Sequence, residues 1–106
     1  MVEYIKELND ANFSNKISAG NWAVDFWAAW CGPCRQMAPH FDAAAEELKN
    51  INFGKINVES NSKTTQQNNI LGIPCIIFFK NGKEVGRSVG LVEKDEILER
   101  AKKAFE

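Results

Sequence analysis

The chain has 106 residues, of which 44% are hydrophobic and 25% charged, close to the average for globular domains. This composition excludes a disordered chain, and the length predicts one domain that spans residues 1–106. The 13 basic and 14 acidic residues leave a net charge of −1, so no basic footprint indicates nucleic-acid binding. The longest apolar stretch, residues 70–79, contains a glycine and a proline and is too short to span a membrane.

Two features predict a cytoplasmic location. The residues after Met1 lack the basic start and apolar run of a signal peptide. The three cysteines, Cys31, Cys34 and Cys75, are too few and odd in number for a secreted scaffold held by disulfides. One interpretation is a cytosolic protein with reduced thiols, and a sharper one is that Cys31 and Cys34 carry out chemistry.

The first elements predict strands alternating with helices. Residues 2–8 predict a short edge strand, and Asn9 and Asp10 are candidate caps for a short helix that ends near Gly20. The almost entirely apolar residues 22–29 predict a strand buried on both faces.

The middle of the chain continues this alternation. Apolar residues on one helical face predict a long helix over residues 31–48, which Pro39 should kink. Residues 51–58 predict another strand. The polar residues 61–69 predict a loop or a poor helix.

The last third predicts a hairpin and a final helix. Residues 75–79 predict a strand, and Asn81-Gly82 is a strong signal for a turn into an antiparallel strand over 83–89. Residues 93–105 predict a helix. The resulting order, β-α-β-α-β-(α)-β-β-α, indicates an α/β protein with a central sheet covered on both faces.

A candidate redox site lies where the predicted strand 22–29 meets the long helix. The first turn of a helix has unpaired N–H groups and a partial positive charge, which stabilise a thiolate at Cys31. Pro33 suits this turn because no N–H is needed there. Cys34 lies one turn further on, so we expect Cys31 to be the exposed attacking thiol and Cys34 the buried resolving thiol. By itself, a C-x-x-C pair also occurs as half of a zinc site.

Residues 24–34, Val-Asp-Phe-Trp-Ala-Ala-Trp-Cys-Gly-Pro-Cys, closely resemble the active-site signature of the thioredoxin family. Further matches are Gly72-Ile73-Pro74, Phe-Phe-Lys-Asn-Gly at residues 78–82, and Val89-Gly90. The similarity covers essentially the whole chain. It implies a monomer with the thioredoxin fold, in which about five strands form a mixed sheet with about four helices on both faces. The implied activity is dithiol–disulfide oxidoreduction that needs no organic cofactor and no metal.

The resemblance also implies residue roles. A cis peptide bond before Pro74 would leave the Ile73 backbone free to pair with an extended substrate segment. Asp25, whose pKa burial should raise, would lie beneath Cys34 as proton acceptor and donor, with Lys55 paired to it. Substrates would dock on a surface formed by Trp30, Gly32, Pro33, Ile73, Pro74, Val89 and Gly90.

The implied reaction is the reduction of disulfides in protein substrates. The Cys31 thiolate attacks the substrate disulfide, and Cys34 then resolves the mixed disulfide. A flavoprotein thioredoxin reductase would restore the dithiol. Because the intervening Gly32 and Pro33 have no side chain that could pair with a thiolate, we expect a reductant rather than an oxidase or isomerase.

Two other functions remain open. Cys31, Cys34 and Cys75, with water or His40, could form a metal site, although zinc prefers four tetrahedral ligands. A module that docks partners without catalysis is the second alternative. His40 itself is predicted to be a solvated helix position.

Cys75 is the main departure from the family, which usually has Thr or Ser after this proline. We expect a small packing residue and a single intramolecular disulfide, Cys31–Cys34. A redox-sensing or dimer-forming Cys75 is the rival interpretation. The final helix also lacks the Ser or Thr that often caps it, so the sequence does not mark its first residue.

Overall fold

The computed structural model describes residues 4–106, and its elements follow the predicted order. The strands and helices alternate up to a closing hairpin and helix. They are β1 (Ile5–Leu8), α1 (Phe13–Ile17), β2 (Asn21–Trp27), α2 (Gly32–Glu47), β3 (Asn52–Asn57), α3 (Ser62–Gln67), β4 (Cys75–Lys80), β5 (Lys83–Val89) and α4 (Lys94–Ala104).

The five strands form one mixed sheet in the order β1-β3-β2-β4-β5. β1, β3 and β2 run parallel, whereas β4 and β5 pair antiparallel. The predicted edge strand is confirmed over Ile5–Leu8, and Val2 and Glu3 lie outside the described residues. The register sets Asp25 beside Lys55 and Phe26 beside Cys75, so it decides which side chains can meet.

Helices cover both faces of this sheet, as predicted. On one face, Phe13 of α1 packs with Val24 and Phe26 of β2. On the other face, side chains of α2 and α4 pack with Ala23 of β2. Because strand side chains alternate between faces, Asp25 points to the same side as Ala23, toward α2.

The predicted strand over residues 22–29 ends two residues early, at Trp27. Its last two residues instead enter a turn, in which the Cys31 N–H donates to the Ala28 carbonyl over 3.2 Å. This turn brings the chain from the sheet to the first residue of α2.

The polar residues 61–69 contain a short helix, α3, because a distant side chain holds its first turn. Asp10 Oδ1 accepts hydrogen bonds from Thr64 N–H (2.9 Å) and Thr64 Oγ1 (2.6 Å), and these bonds lower the pKa of the carboxyl. The prediction that Asp10 caps the first helix is therefore wrong. Asn9 and Asn12 instead exchange side-chain to backbone hydrogen bonds before α1.

The predicted Asn81-Gly82 turn joins β4 and β5. Both residues have positive φ, 50° and 85°, as the tight turn of a hairpin requires. Asn81 Oδ1 also accepts from the Gly20 N–H, which ties this turn to the loop before β2. Within residues 4–106 no helix has the length and apolarity to cross a membrane.

Candidate active site

Cys31 is the N-cap of α2, at the carboxyl end of the central strand β2. The backbone N–H of Cys34 donates to Cys31 Sγ over 3.2 Å, and Pro33 occupies the first turn as predicted. Cys31 and Cys34 form a disulfide, with their Cα atoms 5.2 Å apart. A free helix amide thus points at the sulfur that would carry negative charge after reduction.

The expectation that Cys31 is exposed is wrong for this oxidised form. Its exposed fraction is 4%, against 3% for Cys34. Both cysteines cluster with Ala28, and the half-buried Ile73 packs against them. Because the Ile73 carbonyl oxygen lies 3.9 Å from Cys31 Sγ, this loop covers the sulfur more than the helix position alone suggests.

The peptide bond between Ile73 and Pro74 is cis, as the resemblance implies. Pro74 itself is buried, so it cannot offer the substrate-facing surface that was expected of it. Its carbonyl accepts a hydrogen bond from Gly90 N–H over 2.8 Å. Through this hydrogen bond, the buried Pro74 backbone positions the Val89-Gly90 segment beside the cysteine pair.

The other predicted docking residues reach solvent around the disulfide. Trp30 is 64% exposed and Val89 63% exposed, whereas Ile73 is half-buried. Gly32 and Gly90 are half-buried and Pro33 is exposed.

Sequence reasoning missed two residues of this region, Leu71 and Leu91, which are also exposed. The available signal was a leucine beside Gly72-Ile73-Pro74 and another after Gly90, each between two predicted elements.

Asp25 is a buried carboxyl on β2, facing α2. Burial raises its pKa to about 7, while Lys55 lowers this pKa and Asp42 raises it. Asp25 Oδ1 has no hydrogen-bond partner among the described residues. Desolvation without a compensating contact explains why the neutral form is favoured.

Lys55 is the register neighbour of Asp25, and its charge lowers the pKa of that carboxyl. Its Nζ lies 5.0 Å from the centre of the Trp27 ring, a cation–π geometry. No ion pair joins Lys55 to Asp25 within residues 4–106. Lys55 therefore acts on Asp25 only through its charge.

Cys75 is a buried free thiol, as predicted for a packing residue. It belongs to the core on the α1 face, with Phe26 and Ile77. Burial raises the pKa of this thiol, and the charge of Arg87 opposes that effect. Residues 4–106 bring together no group of three His, Cys, Asp or Glu able to hold a metal, so the metal-binding alternative is not favoured.

The prediction of a solvated His40 is wrong, because this side chain is half-buried and bonded. His40 Nδ1 accepts a hydrogen bond from the backbone N–H of Lys94 over 3.2 Å. Lys94 is the first residue of α4, so α2 supplies the cap that the sequence before α4 lacks.

Two sulfurs at a helix N-terminus can alternate between a disulfide and a dithiol, since the helix amide stabilises the reduced, charged sulfur. With a mixed sheet and helices on both faces, this pair defines the class: the protein is a thiol–disulfide oxidoreductase.

Comparison with known proteins agrees with this class. The sequence model of the family described as Thioredoxin matches residues 4–103. Thioredoxin of Chlamydia pneumoniae is 43% identical over 91 residues, which are 86% of this chain and 89% of the relative. Thioredoxin of Alicyclobacillus acidocaldarius is 44% identical over 92 residues, covering 85% and 88%. Thioredoxin of Chlamydia trachomatis is 38% identical over 94 residues, covering 89% and 92%.

The chain belongs to the thioredoxin family. It is a protein-disulfide reductase that cycles between dithiol and disulfide forms and acts as a reductant.

Proposed function

We propose that Cys31 is the attacking thiolate and Cys34 the resolving thiol. The observation that carries this proposal is the 3.2 Å hydrogen bond from the Cys34 N–H to Cys31 Sγ. A donor aimed at one sulfur favours the thiolate at that position over its neighbour. Cys34 lies inside the first turn and receives no such bond among the described residues.

The proposed reaction balances in two exchanges. The Cys31 thiolate attacks one sulfur of the substrate disulfide, the substrate S–S bond breaks, and the departing sulfur takes up a proton. Cys34 then loses its proton and attacks Cys31 Sγ. The second substrate sulfur leaves and is protonated. The substrate gains two electrons and two protons, one from Cys34 and one from solvent, and the protein is left oxidised with a new Cys31–Cys34 disulfide.

Asp25 is proposed as the group that accepts the Cys34 proton and returns it. Its buried carboxyl faces α2, the helix that carries Cys34, and its pKa of about 7 suits proton exchange near neutral pH. Lys55 is proposed as a positioning residue that acts through Asp25, because its charge lowers the pKa of that carboxyl.

Substrates are proposed to dock over the exposed rim of the disulfide, along the Ile73 backbone. The 3.9 Å separation of the Ile73 carbonyl oxygen from Cys31 Sγ supports this position, since a strand paired there would bring its own sulfur to Cys31. The rim residues are Trp30, Gly32, Pro33, Ile73, Val89 and Gly90, with Pro74 as their support.

The cellular setting is proposed as follows. The chain forms a single thioredoxin domain over residues 1–106 and works as a monomer in the cytoplasm. A flavoprotein thioredoxin reductase restores its dithiol. The family membership supports a reductase partner, and the odd, low cysteine content supports a reducing compartment.

Reduction of insulin, driven by a small dithiol, tests the proposed roles. Cys31→Ser should abolish the acceleration over the dithiol alone. Cys34→Ser should also stop turnover but accumulate a mixed disulfide through Cys31. The matched control, Cys75→Ser, leaves both redox sulfurs in place and should show neither effect. A mixed disulfide in the Cys31→Ser variant instead would reverse the two roles.

A further inference from the structure

Four of the six exposed large apolar residues of the described chain gather around the disulfide. Leu71 is 99% exposed, and Trp30, Val89 and Leu91 share this edge of the molecule. Scattered exposed apolar residues are normal, but a group beside a reactive centre indicates a binding surface. Trp30 and Val89 belong to the docking rim proposed above, whereas Leu71 and Leu91 extend it.

The loop that carries Leu71 is anchored on both sides. Before it, Ile70 N–H donates to the Thr65 carbonyl, and the Ile70 side chain packs on the core of the α1 face. After it, Ile73 packs against the cysteine pair. Because the backbone is anchored on both sides, the Leu71 side chain stays exposed to solvent at a defined position.

Leu71 lies two residues before the residue that covers the reacting sulfur, and its neighbour Gly72 approaches the β5 edge of the rim. A Cβ built on Gly72 would be 3.7 Å from Val89 Cγ1, so the backbone beside Leu71 runs close to Val89. Ile73, with its carbonyl 3.9 Å from Cys31 Sγ, is two residues from Leu71. Two residues of chain span at most about 7 Å, which is also the spacing between alternate side chains of an extended peptide.

The segments around Leu71 carry no charge of their own, and the charged groups bonded to this edge are two arginines. Arg87 donates to the carbonyls of Asn68 and Asn69, and Arg35 donates to that of Ala29. Residues 29–34, 70–75 and 88–92 form this edge and contain no Asp, Glu, Lys or Arg. A cationic partner side chain would lose water here without gaining a counter-ion, whereas an apolar side chain would bury its surface against leucine.

From this placement we infer that Leu71, assisted by Leu91, selects disulfide partners with a large apolar side chain two residues from their reacting cysteine. This inference rests on the proposed docking along Ile73 and adds a preference among polypeptide substrates. The occupant is an extended segment of the partner, covalently joined to Cys31 during the exchange.

The test uses two disulfide-linked peptides that differ only in Leu or Ser two residues from the reacting cysteine. The second-order rate constant for reduction by the dithiol protein is measured for each peptide. For the unaltered protein we expect the Leu peptide to react about five to ten times faster, from the apolar area buried. Leu71→Ser should bring this ratio close to one, and Leu91→Ser should lower it in part. Val85→Ser, at an exposed apolar position on β5 away from the disulfide, is the matched control and should keep the ratio.

Equal rates for the two peptides in the unaltered protein, or an undiminished ratio in Leu71→Ser, would overturn the inference. Both outcomes leave disulfide reduction itself intact. Failure of the proposed chemistry has a different pattern, because the dithiol protein would then reduce neither peptide. Leu71 touches none of the core, so loss of folding does not confuse the comparison.

Discussion

His40 of α2 caps α4 from outside, because its Nδ1 accepts the backbone N–H of Lys94 over 3.2 Å. Glu93, the N-cap residue of α4, makes no side-chain capping bond. This bond ties the start of the last helix to α2, in addition to the 3.6 Å ion pair between Lys94 and Glu47 and the apolar packing of the two helices.

His40→Ala is expected to lower the free energy of unfolding by about 1 kcal/mol, the usual cost of a lost helix cap. The measurement is urea denaturation followed by circular dichroism. Gln36→Ala, at an exposed position of the same helix, is the control and should change stability little. Equal stability of the His40 and Gln36 variants would show that the bond contributes nothing.

Asp25 makes stability depend on pH, because burial raises its pKa to about 7 in the folded protein. The usual aspartate pKa is about 3.9, so the folded chain binds this proton more tightly than the unfolded chain. The resulting stabilisation is complete below about pH 4 and is lost as the pH rises to about 7. At about 1.4 kcal/mol per pH unit, the loss is on the order of 4 kcal/mol.

Asp25→Asn removes this titration. The free energy of unfolding of the variant, minus that of the unaltered protein, is expected to increase between about pH 4 and about pH 7. Above about pH 7 this difference should stay level. Urea melts across this range give the difference. A difference that stays constant with pH would mean that Asp25 ionises normally in the folded protein.

Cys75 is expected to be inert toward thiol reagents in the folded, oxidised protein, because burial raises its pKa and denies access. A maleimide should label one thiol rapidly only after unfolding. Cys75→Ala should cost about 1 kcal/mol through the small cavity it leaves, without changing the rate of insulin reduction. Rapid labelling of the native protein, or a dimer that Cys75→Ala abolishes, would contradict a packing role.

Gly54 of β3 and Gly32 of α2 form a matched pair for a packing test. A Cβ at Gly54 would come within 2.8 Å of Leu8 Cδ1 and 3.3 Å of the Trp22 ring, whereas one at Gly32 meets nothing within 4 Å. Gly54→Ala should therefore cost about 1–3 kcal/mol.

Gly32→Ala should be neutral or stabilise by about 0.5–1 kcal/mol, since alanine favours a helix. Thermal and urea unfolding of both variants decide the matter. Equal free energies of unfolding for Gly54→Ala and Gly32→Ala would mean that the Leu8 side chain moves aside without cost.

The chemistry of the site was readable from the sequence because its signals are local. The apolar run before Cys31, the proline inside Cys31–Cys34 and the turn at Asn81-Gly82 each act through neighbouring residues. Strand and helix periodicity likewise reports only which side of an element is buried, so the element order was also predictable.

Contacts between residues distant in sequence were decided by the tertiary structure alone. Asp10 holds Thr64 and not the adjacent α1, and the Lys55 ammonium lies over the Trp27 ring. The Ile73 loop also covers Cys31, which its helix position alone predicts to be exposed. A polar or charged side chain has several partners within reach, and only the register of the sheet and the packing of helices on it determine which one it meets.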